Sequence, residues 1–397
     1  MSEPPQHRIK PEPKKDLTAR ELNRAARRDS RSRARRKILL ATLVAFALIV
    51  ASVTISYLRL QSEEVGPDAV VIESDAGASA LVVIEDAGLP KAILLVGASA
   101  DQASRLVTIP GSLLAIAPGF GEYTLEEAYT IGGIDLLSLT ITNLLGARID
   151  DTFTHTRDEF TALFDEPLEI SIIRPFVTED AEGNQKVAAG EGLQPRTPEM
   201  IGTLLTDKGV DNDLDYLFRQ GEVWTSVFDT VGGSKRLTDQ FVAGGTTAGI
   251  AALTGASQDD GLIVSSLPVV RVNTLSTGAE RYSLDVADAA VFVDQAVPYL
   301  AIGEAPRLVI EILNGKGGVG ITQPVAKTFV LAGYRVLKTD NAGTLNYPST
   351  QVIAQGRDRR DAAVAAQALL GYGEVVLEVR QPSGVVDLTI ILGEDAP

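Results

Sequence analysis

Apolar and polar positions alternate along this chain in blocks that change period, and the blocks define its elements. Ile38–Leu58 (ILLATLVAFALIVASVTISYL) is 21 residues without a charge. A helix of that length is roughly 30 Å long, the thickness of a bilayer's hydrocarbon core, so the run predicts a membrane span. Polar, Gly/Pro-marked sequence follows over residues 59–78 and reads as a linker. Short apolar runs at Ala80–Ile84, Ala92–Gly97 and Arg105–Ile109 then predict strands, the third stopped by Pro110-Gly111. Leu125–Tyr129 and Ile134–Leu145 have helical spacing, and Glu169–Ile173 reads as a strand. Thr178–Gly192 is a polar hairpin or loop. Thr197–Leu205 opens with Thr-Pro-Glu, a good helix start, and Leu214–Val231 is a longer helix. Leu262–Leu267 and Val269–Val272 are strands around Pro268, and Ala287–Tyr299 is a helix.

A seam falls at 302–306, and the pattern beyond it is regular. Strands are predicted at Leu308–Leu313, Tyr334–Leu337, Gln351–Ala354, Glu374–Val379 and Val385–Leu392. Helices are predicted at Thr322–Ala332 and Asp358–Leu370, each followed by glycine. The chain is therefore read as five segments: a tail (1–37), a membrane helix (38–58), a linker (59–78), a large α/β domain (79–303) and a small α/β domain (304–397).

Charge orients this plan. Residues 1–37 hold 13 Lys/Arg against 5 Asp/Glu, which leaves −24 for the remainder of a chain whose net charge is −16. Arg31, Arg33, Arg35, Arg36 and Lys37 crowd the near end of the apolar run, whereas Glu63, Glu64 and Asp68 follow the far end. The positive-inside rule places the tail in the cytoplasm and everything after residue 58 outside. The tail has too few apolar residues to build a core, and its tether favours anionic lipid over nucleic acid as a partner. The chain has no cysteine, which excludes disulfides, thiolate nucleophiles and cysteine metal sites. His7 and His155 are the two histidines, so a metal site would rest on carboxylates and suit Mg²⁺ or Ca²⁺ rather than Zn²⁺.

Residues 314–322 (NGKGGVGIT) sit between a predicted strand and a predicted helix, as a phosphate-binding loop would. The chemistry fails at one position. Such a loop needs Gly-Lys-Ser/Thr, and Ile321 stands where the lysine should be. ATP is therefore not expected as a ligand, and the glycines are read as a tight strand-to-helix turn.

Residues 304–397 resemble the C-terminal domain of LytR-type envelope proteins. The resemblance rests on Val309-Ile310-Glu311-Ile312-Leu313-Asn314-Gly315 with its Gly-rich turn, Val325-Ala326, and Leu331-Ala332-Gly333-Tyr334-Arg335-Val336. It continues through Asn341-Ala342, Thr350-Gln351-Val352-Ile353, the Ala-rich stretch Ala362–Leu370 and the closing Leu392-Gly393-Glu394-Asp395. Residues 80–240 resemble a diverged LytR–CpsA–Psr domain. The matching pieces are Ala92–Val96, Leu106–Pro110, Ala128-Tyr129, Gly132-Gly133, Leu144–Asp150, Gly190, Leu193 and Arg219-Gln220. That resemblance implies an α/β domain with a central mixed sheet. It also implies a family whose active members move glycopolymer from a lipid pyrophosphate carrier to peptidoglycan with the help of Mg²⁺. Their site is a cluster of arginines, which clamp the pyrophosphate, and aspartates, which hold the metal.

Several of those positions are replaced here. Pro110-Gly111-Ser112 stands for Pro-Arg-Asp, Pro90-Lys91 for Asp-Thr, and Thr206 and Tyr216 for arginines. Asp86, Arg105, Arg219 and Arg271 remain as candidate catalytic residues, with Asp101 as an alternative to Arg105 and Asp86 as the candidate metal ligand. Two functions follow from different classes. One is a non-catalytic binding or scaffolding protein of the envelope, paired with an active transferase relative. The other is a working transferase with a rearranged site. Convergence of two arginines and a carboxylate on one pocket favours the second, and scatter favours the first.

Overall fold

The sheet core begins with an antiparallel hairpin, β1 (Gly77–Asp86) and β2 (Leu89–Ser99), turned by Ala87-Gly88 with both residues at positive φ. That two-residue geometry matches the twist of the strands it joins. The computed structural model describes residues 77–259, 261–275, 279–303, 306–378 and 385–397. They fall in one compact unit, Asp68–Pro397. The tail and the membrane helix expected over Ile38–Leu58 lie outside the described residues, as does the linker apart from Gly77 and Ala78, which already belong to β1.

β3 (Arg105–Ile109) pairs antiparallel with β2, and the hairpin of β4 (Leu114–Ala117) and β5 (Gly121–Thr124) leads into α1 (Leu125–Leu145). Thr124 caps that helix reciprocally with Glu127. α1 is long and apolar enough to cross a membrane by length and composition alone, but half of it is buried in the protein. It also breaks at Gly132-Gly133, where Gly133 has φ 65°. It is a core helix in two pieces, as the gap between the two apolar runs predicted. β6 (Asp151–Thr156) then lies parallel to β1 at the sheet's edge.

The chain continues through α2 (Arg157–Thr161), β7 (Leu168–Ile172), the hairpin β8 (Phe176–Glu179) and β9 (Gln185–Ala189), and β10 (Gly192–Arg196), which pairs with β7. Four helices follow: α3 (Pro198–Thr206), α4 (Asp213–Gly232), α5 (Lys235–Phe241) and α6 (Thr247–Ser257). β11 (Ile263–Ser266) joins β3 in parallel. The hairpin of β12 (Val270–Thr274) and β13 (Glu280–Ser283) precedes α7 (Val286–Ala296). The central sheet runs β11-β3-β2-β1-β6, with β2 opposed to the other four. Its middle strands are buried on both faces, so they read as unbroken apolar runs. Val82 and Leu94 pack with Trp224 and Phe228 on one side, and Leu81 and Leu95 pack with Leu137 and Ile141 on the other.

A second sheet follows. It comprises β14 (Val309–Asn314), β15 (Arg335–Asn341), β16 (Gln351–Gln355), β17 (Glu374–Glu378) and β18 (Leu388–Leu392), in the order β15-β14-β18-β16-β17. α8 (Thr322–Leu331) and α9 (Arg360–Leu370) bury Phe329, Ala363 and Ala366 against it. The last segment is closed by close contacts. A Cβ on Gly393 would lie 2.2 Å from the carbonyl carbon of Ser349, while the Asp395 carboxylate accepts from Thr350 N at 2.6 Å and from its hydroxyl at 2.7 Å. Backbone cannot yield as a side chain tip would. Gly393→Ala is therefore expected to cost about 3 kcal/mol, read as a shift of the urea midpoint at unchanged slope.

The two sheets share a helix. Leu139 of α1 is part of the second core, and the nearly dry Asn143 bonds across the junction. Its amide donates to Val336 O at 2.9 Å and Ile116 O at 3.2 Å, and its oxygen accepts from Val336 N at 2.8 Å. Arg307 completes the joint by donating to Asn143 O at 2.8 Å and Leu144 O at 3.2 Å. It thereby supplies a cation at a helix end that has no basic residue of its own.

Candidate functional site

β1, β3, β6 and β11 point the same way, so their carboxyl ends meet at one end of the sheet, where open α/β sheets bind ligands. The residues just past those ends, together with the start of β2, build the candidate site. Most of the replaced positions named above converge there. The Gln220 amide donates to Lys91 O and to Leu205 O, each at 2.8 Å. The Tyr216 hydroxyl donates to Leu205 O at 2.5 Å and lies 3.2 Å from Lys91 O. Burial pushes that hydroxyl's pKa well up against the opposing pull of Arg219, so it remains a donor at any physiological pH. A tyrosine and an amide thus knit the end of α3 to the start of β2.

Beside this knot the Ser112 hydroxyl donates to Asp213 at 2.8 Å, and Lys208 pairs with Asp213 at 2.5 Å. Tyr282 N donates to Ser112 O at 3.2 Å, which ties the β12–β13 hairpin to the same rim. Glu280 accepts from Arg271 and from the Tyr282 hydroxyl, both at 2.7 Å. Those two bonds, the arginine's first, hold its carboxyl down to about 2. Lys91 pairs with Glu126 at 3.5 Å, and Asp86 with Arg157 at 3.7 Å. The Tyr129 hydroxyl donates to Glu85, whose pKa is raised by burial first and by Glu159 second. Lys91, Arg157, Lys208 and Arg271 are each paired with a carboxylate.

The four candidate residues do not meet. Asp86 is on the rim and 42% exposed. Arg105 pairs with Gly97, which faces Ser79, seven residues before Asp86 on β1. That separation is about 24 Å along the strand, which puts Arg105, and Asp101 near it, at the opposite end of the sheet. Arg271 sits on an exposed hairpin with Glu280. Arg219 is 4% exposed and lies at the connection between α3 and α4. It pairs with Asp211, donates to Asp207 O at 2.5 Å, Leu204 O at 3.3 Å and Lys208 O at 3.4 Å, and stacks 4.3 Å above the Phe176 ring. Its role is to hold the α3–α4 connection. Asp86 pairs with Arg157 at 3.7 Å, and among the described residues no three carboxylate or imidazole side chains converge.

The Gly-rich turn after β14 is also internally satisfied. Asn314 Oδ1 accepts from Lys316 N at 3.2 Å and Gly317 N at 2.8 Å, and the Lys316 ammonium turns to the carbonyls of Ala396 and Pro397. Sequence reasoning missed Arg157; it named Tyr129, Tyr216 and Gln220 only as matching or replaced positions and did not foresee the bonds they make.

Residues 307–395 match the family model described as "LytR cell envelope-related transcriptional attenuator". This part of the chain is similar to LytR C-terminal domains. The solved structures similar to the chain are LytR–CpsA–Psr proteins. B. subtilis TagV is 14% identical, with a TM-score of 0.47, over 58% of this chain and 99% of that one. B. subtilis TagT is 18% identical, with a TM-score of 0.45, over 59% and 96%. A structure of TagT bound to LI-WTA is 18% identical, with a TM-score of 0.46, over 61% and 95%. No curated protein matches the chain. The stretch that matches the LytR C-terminal model, 307–395, takes in the second sheet.

Proposed function

We propose that this is a membrane-anchored protein of the cell envelope whose large domain binds or scaffolds glycopolymer machinery without transferring glycopolymer. The uncharged run Ile38–Leu58, fenced by Arg35, Arg36 and Lys37, supports a single pass with the N-terminus in the cytoplasm. The LytR C-terminal domain supports the envelope. One observation carries the non-catalytic reading: Tyr216, at a position where the resemblance expects an arginine, spends its hydroxyl on Leu205 O and lies 3.2 Å from Lys91 O. Losing several charge-assisted contacts to a pyrophosphate removes transition-state stabilisation of several kcal/mol, which is several powers of ten in rate. Cell-wall glycopolymer, peptidoglycan or an active transferase relative are the partners that suit this reading.

The alternative, an active transferase, draws on the half-exposed Asp86–Arg157 pair at the carboxyl end of the sheet. The test is complementation. The full-length chain is expressed in a strain that lacks its own glycopolymer transferases, and polymer attached to peptidoglycan is measured. No attachment is expected. Attachment that disappears with Asp86→Asn would establish the transferase and overturn the binding reading.

A further inference from the structure

We infer that the outer edge of β6 is a docking edge and that its occupant is the chain's own stretch 69–73 (AVVIE), added to the central sheet as a further strand. The sequence carries the first reason. Val70-Val71-Ile72-Glu73 followed by Asp75-Ala76-Gly77 anticipates Val82-Val83-Ile84-Glu85-Asp86-Ala87-Gly88 of β1 and its turn, with Ser74 as the one insertion. The β-branched heart of the strand is therefore present twice. The first copy cannot take the place of the second. Pro67 and Asp68 would stand where β1 has Ser79 and Ala80, both fully buried. A proline and a charge at its start suit an edge strand instead.

β6 ends the sheet on the side of β1. In a parallel pair alternate residues aim both backbone groups at one neighbour. Thr152 N and Thr156 N are capped by the side chains of Asp151 and Glu159, each at 2.8 Å, so the even-numbered residues face outward. Thr154 lies between them and is exposed, and among the described residues no side chain caps its N–H.

Reach decides between the sheet's two edges. The four steps from Glu73 to Gly77 cover at most about 14 Å. A strand outside β6 lies two inter-strand spacings from β1, about 10 Å, whereas one outside β11 lies four away, about 19 Å. So short a link also requires the added strand to run antiparallel to β6. Ala80 faces Asp151 in the register, which sets Gly77 three residues short of the start of β6. The slack in the link then brings residues 69, 70 and 71 opposite Thr154, Phe153 and Thr152. Val70 falls beside Phe153, at the border of the first core. Asp68 comes opposite His155, whose Nε2 is buried with no hydrogen-bond partner among the described residues. Docking also shortens the tether. On the membrane-anchored reading, residues 59–68 alone remain free, with a reach of about 35 Å instead of about 60 Å for 59–76. The docking itself does not depend on that reading.

The chain has no cysteine, so an engineered pair reports without background. Full-length protein in detergent micelles is oxidised with T154C paired in turn with A69C and V71C, and disulfides are mapped by mass spectrometry of non-reduced peptides. A cross-link within one chain is expected, and none with A69C/I263C at the sheet's other edge. Hydrogen exchange of the peptide spanning 151–156 is the second readout. V71P should speed exchange at Thr154 about tenfold or more at an unchanged melting temperature. Cross-links between two chains would give the edge to a second copy and overturn the inference. So would equal yields with T154C and I263C, no cross-link with either partner, or the same exchange in V71P as in the wild type. None of these outcomes alters the complementation result, so the two readings fail separately.

Discussion

Arg219→Ala is expected to destabilise the protein by about 3 kcal/mol rather than to remove a catalytic group. The guanidinium is buried and forked. It satisfies the carbonyls of Leu204, Asp207 and Lys208, pairs with Asp211, and lies between the Phe176 and Tyr216 rings. Truncation strands those carbonyls where the chain links α3 to α4 and removes the cation from a buried pair, a change that costs about 3–5 kcal/mol when both partners are dry. Asp211 retains 24% side-chain exposure and can recover water, which sets the estimate at the lower end of that range. Burial lowers the Arg219 pKa, yet the group remains a cation throughout the stable pH range, so the loss should be flat with pH from 6 to 8 on the scale of about one pKa unit. Arg219→Lys should recover only part of the stability, because an ammonium cannot reproduce the planar fork. Arg271→Ala, at an exposed hairpin pair, should cost less than about 1 kcal/mol. Urea unfolding followed by circular dichroism separates the two. If R219A unfolded at the wild-type midpoint, the structural role given to this residue would be wrong.

That contrast shows what could be read from residues alone. Buried strands announce themselves: Ile310 and Ile312 fall on the buried face of an alternating strand, Leu388–Leu392 is buried throughout, and each strand of the second sheet was legible. Helix ends with a chemical signature were legible too, such as Thr197 before Pro198 and Glu199. α6 was not. Gly249 and Gly255 argue against a helix on propensity, but the Asp151 side chain would meet a Cβ on Gly249 at 2.3 Å and Ala98 Cβ would meet one on Gly255 at 2.9 Å. Those glycines let a helix lie close on the sheet, a reason that exists only in three dimensions. β6 (DTFTHT) was missed because five of its six residues are polar or ionisable and its pairing with β1 is distant in sequence. For the site, the resemblance left Asp86, Arg105, Arg219 and Arg271 as candidates, but a matched residue carries no direction. Arg219 was singled out by its match beside Gln220, and its helix phase with the buried Gln220 and Trp224 was the better guide to its surroundings.

Asn143→Ala should have the largest effect outside the core proper, about 4 kcal/mol, because one side chain satisfies three buried backbone groups. Val336 N–H, Val336 C=O and Ile116 C=O have Asn143 as their partner across the joint, at 2.8, 2.9 and 3.2 Å. Val336 lies on β15, an edge strand of the second sheet, so the asparagine amide plays the part of a neighbouring strand for one residue. Its loss uncovers that edge and weakens a buried polar fastening beside Leu139 and Arg307, which makes strand-to-strand association between chains available. Two consequences are expected together. Calorimetry should resolve one cooperative unfolding transition into two, with the LytR C-terminal domain melting apart from the larger sheet. The variant should also aggregate more readily on refolding. Asn143→Asp should be worse than alanine, because it keeps one acceptor, loses both donated bonds and buries a charge. Asn143→Gln offers the same chemistry one methylene further out and should recover little in a joint this tight. A single transition at the wild-type temperature in N143A would mean that the two sheets are held by their apolar contact alone, and that Asn143 fills space without fastening them.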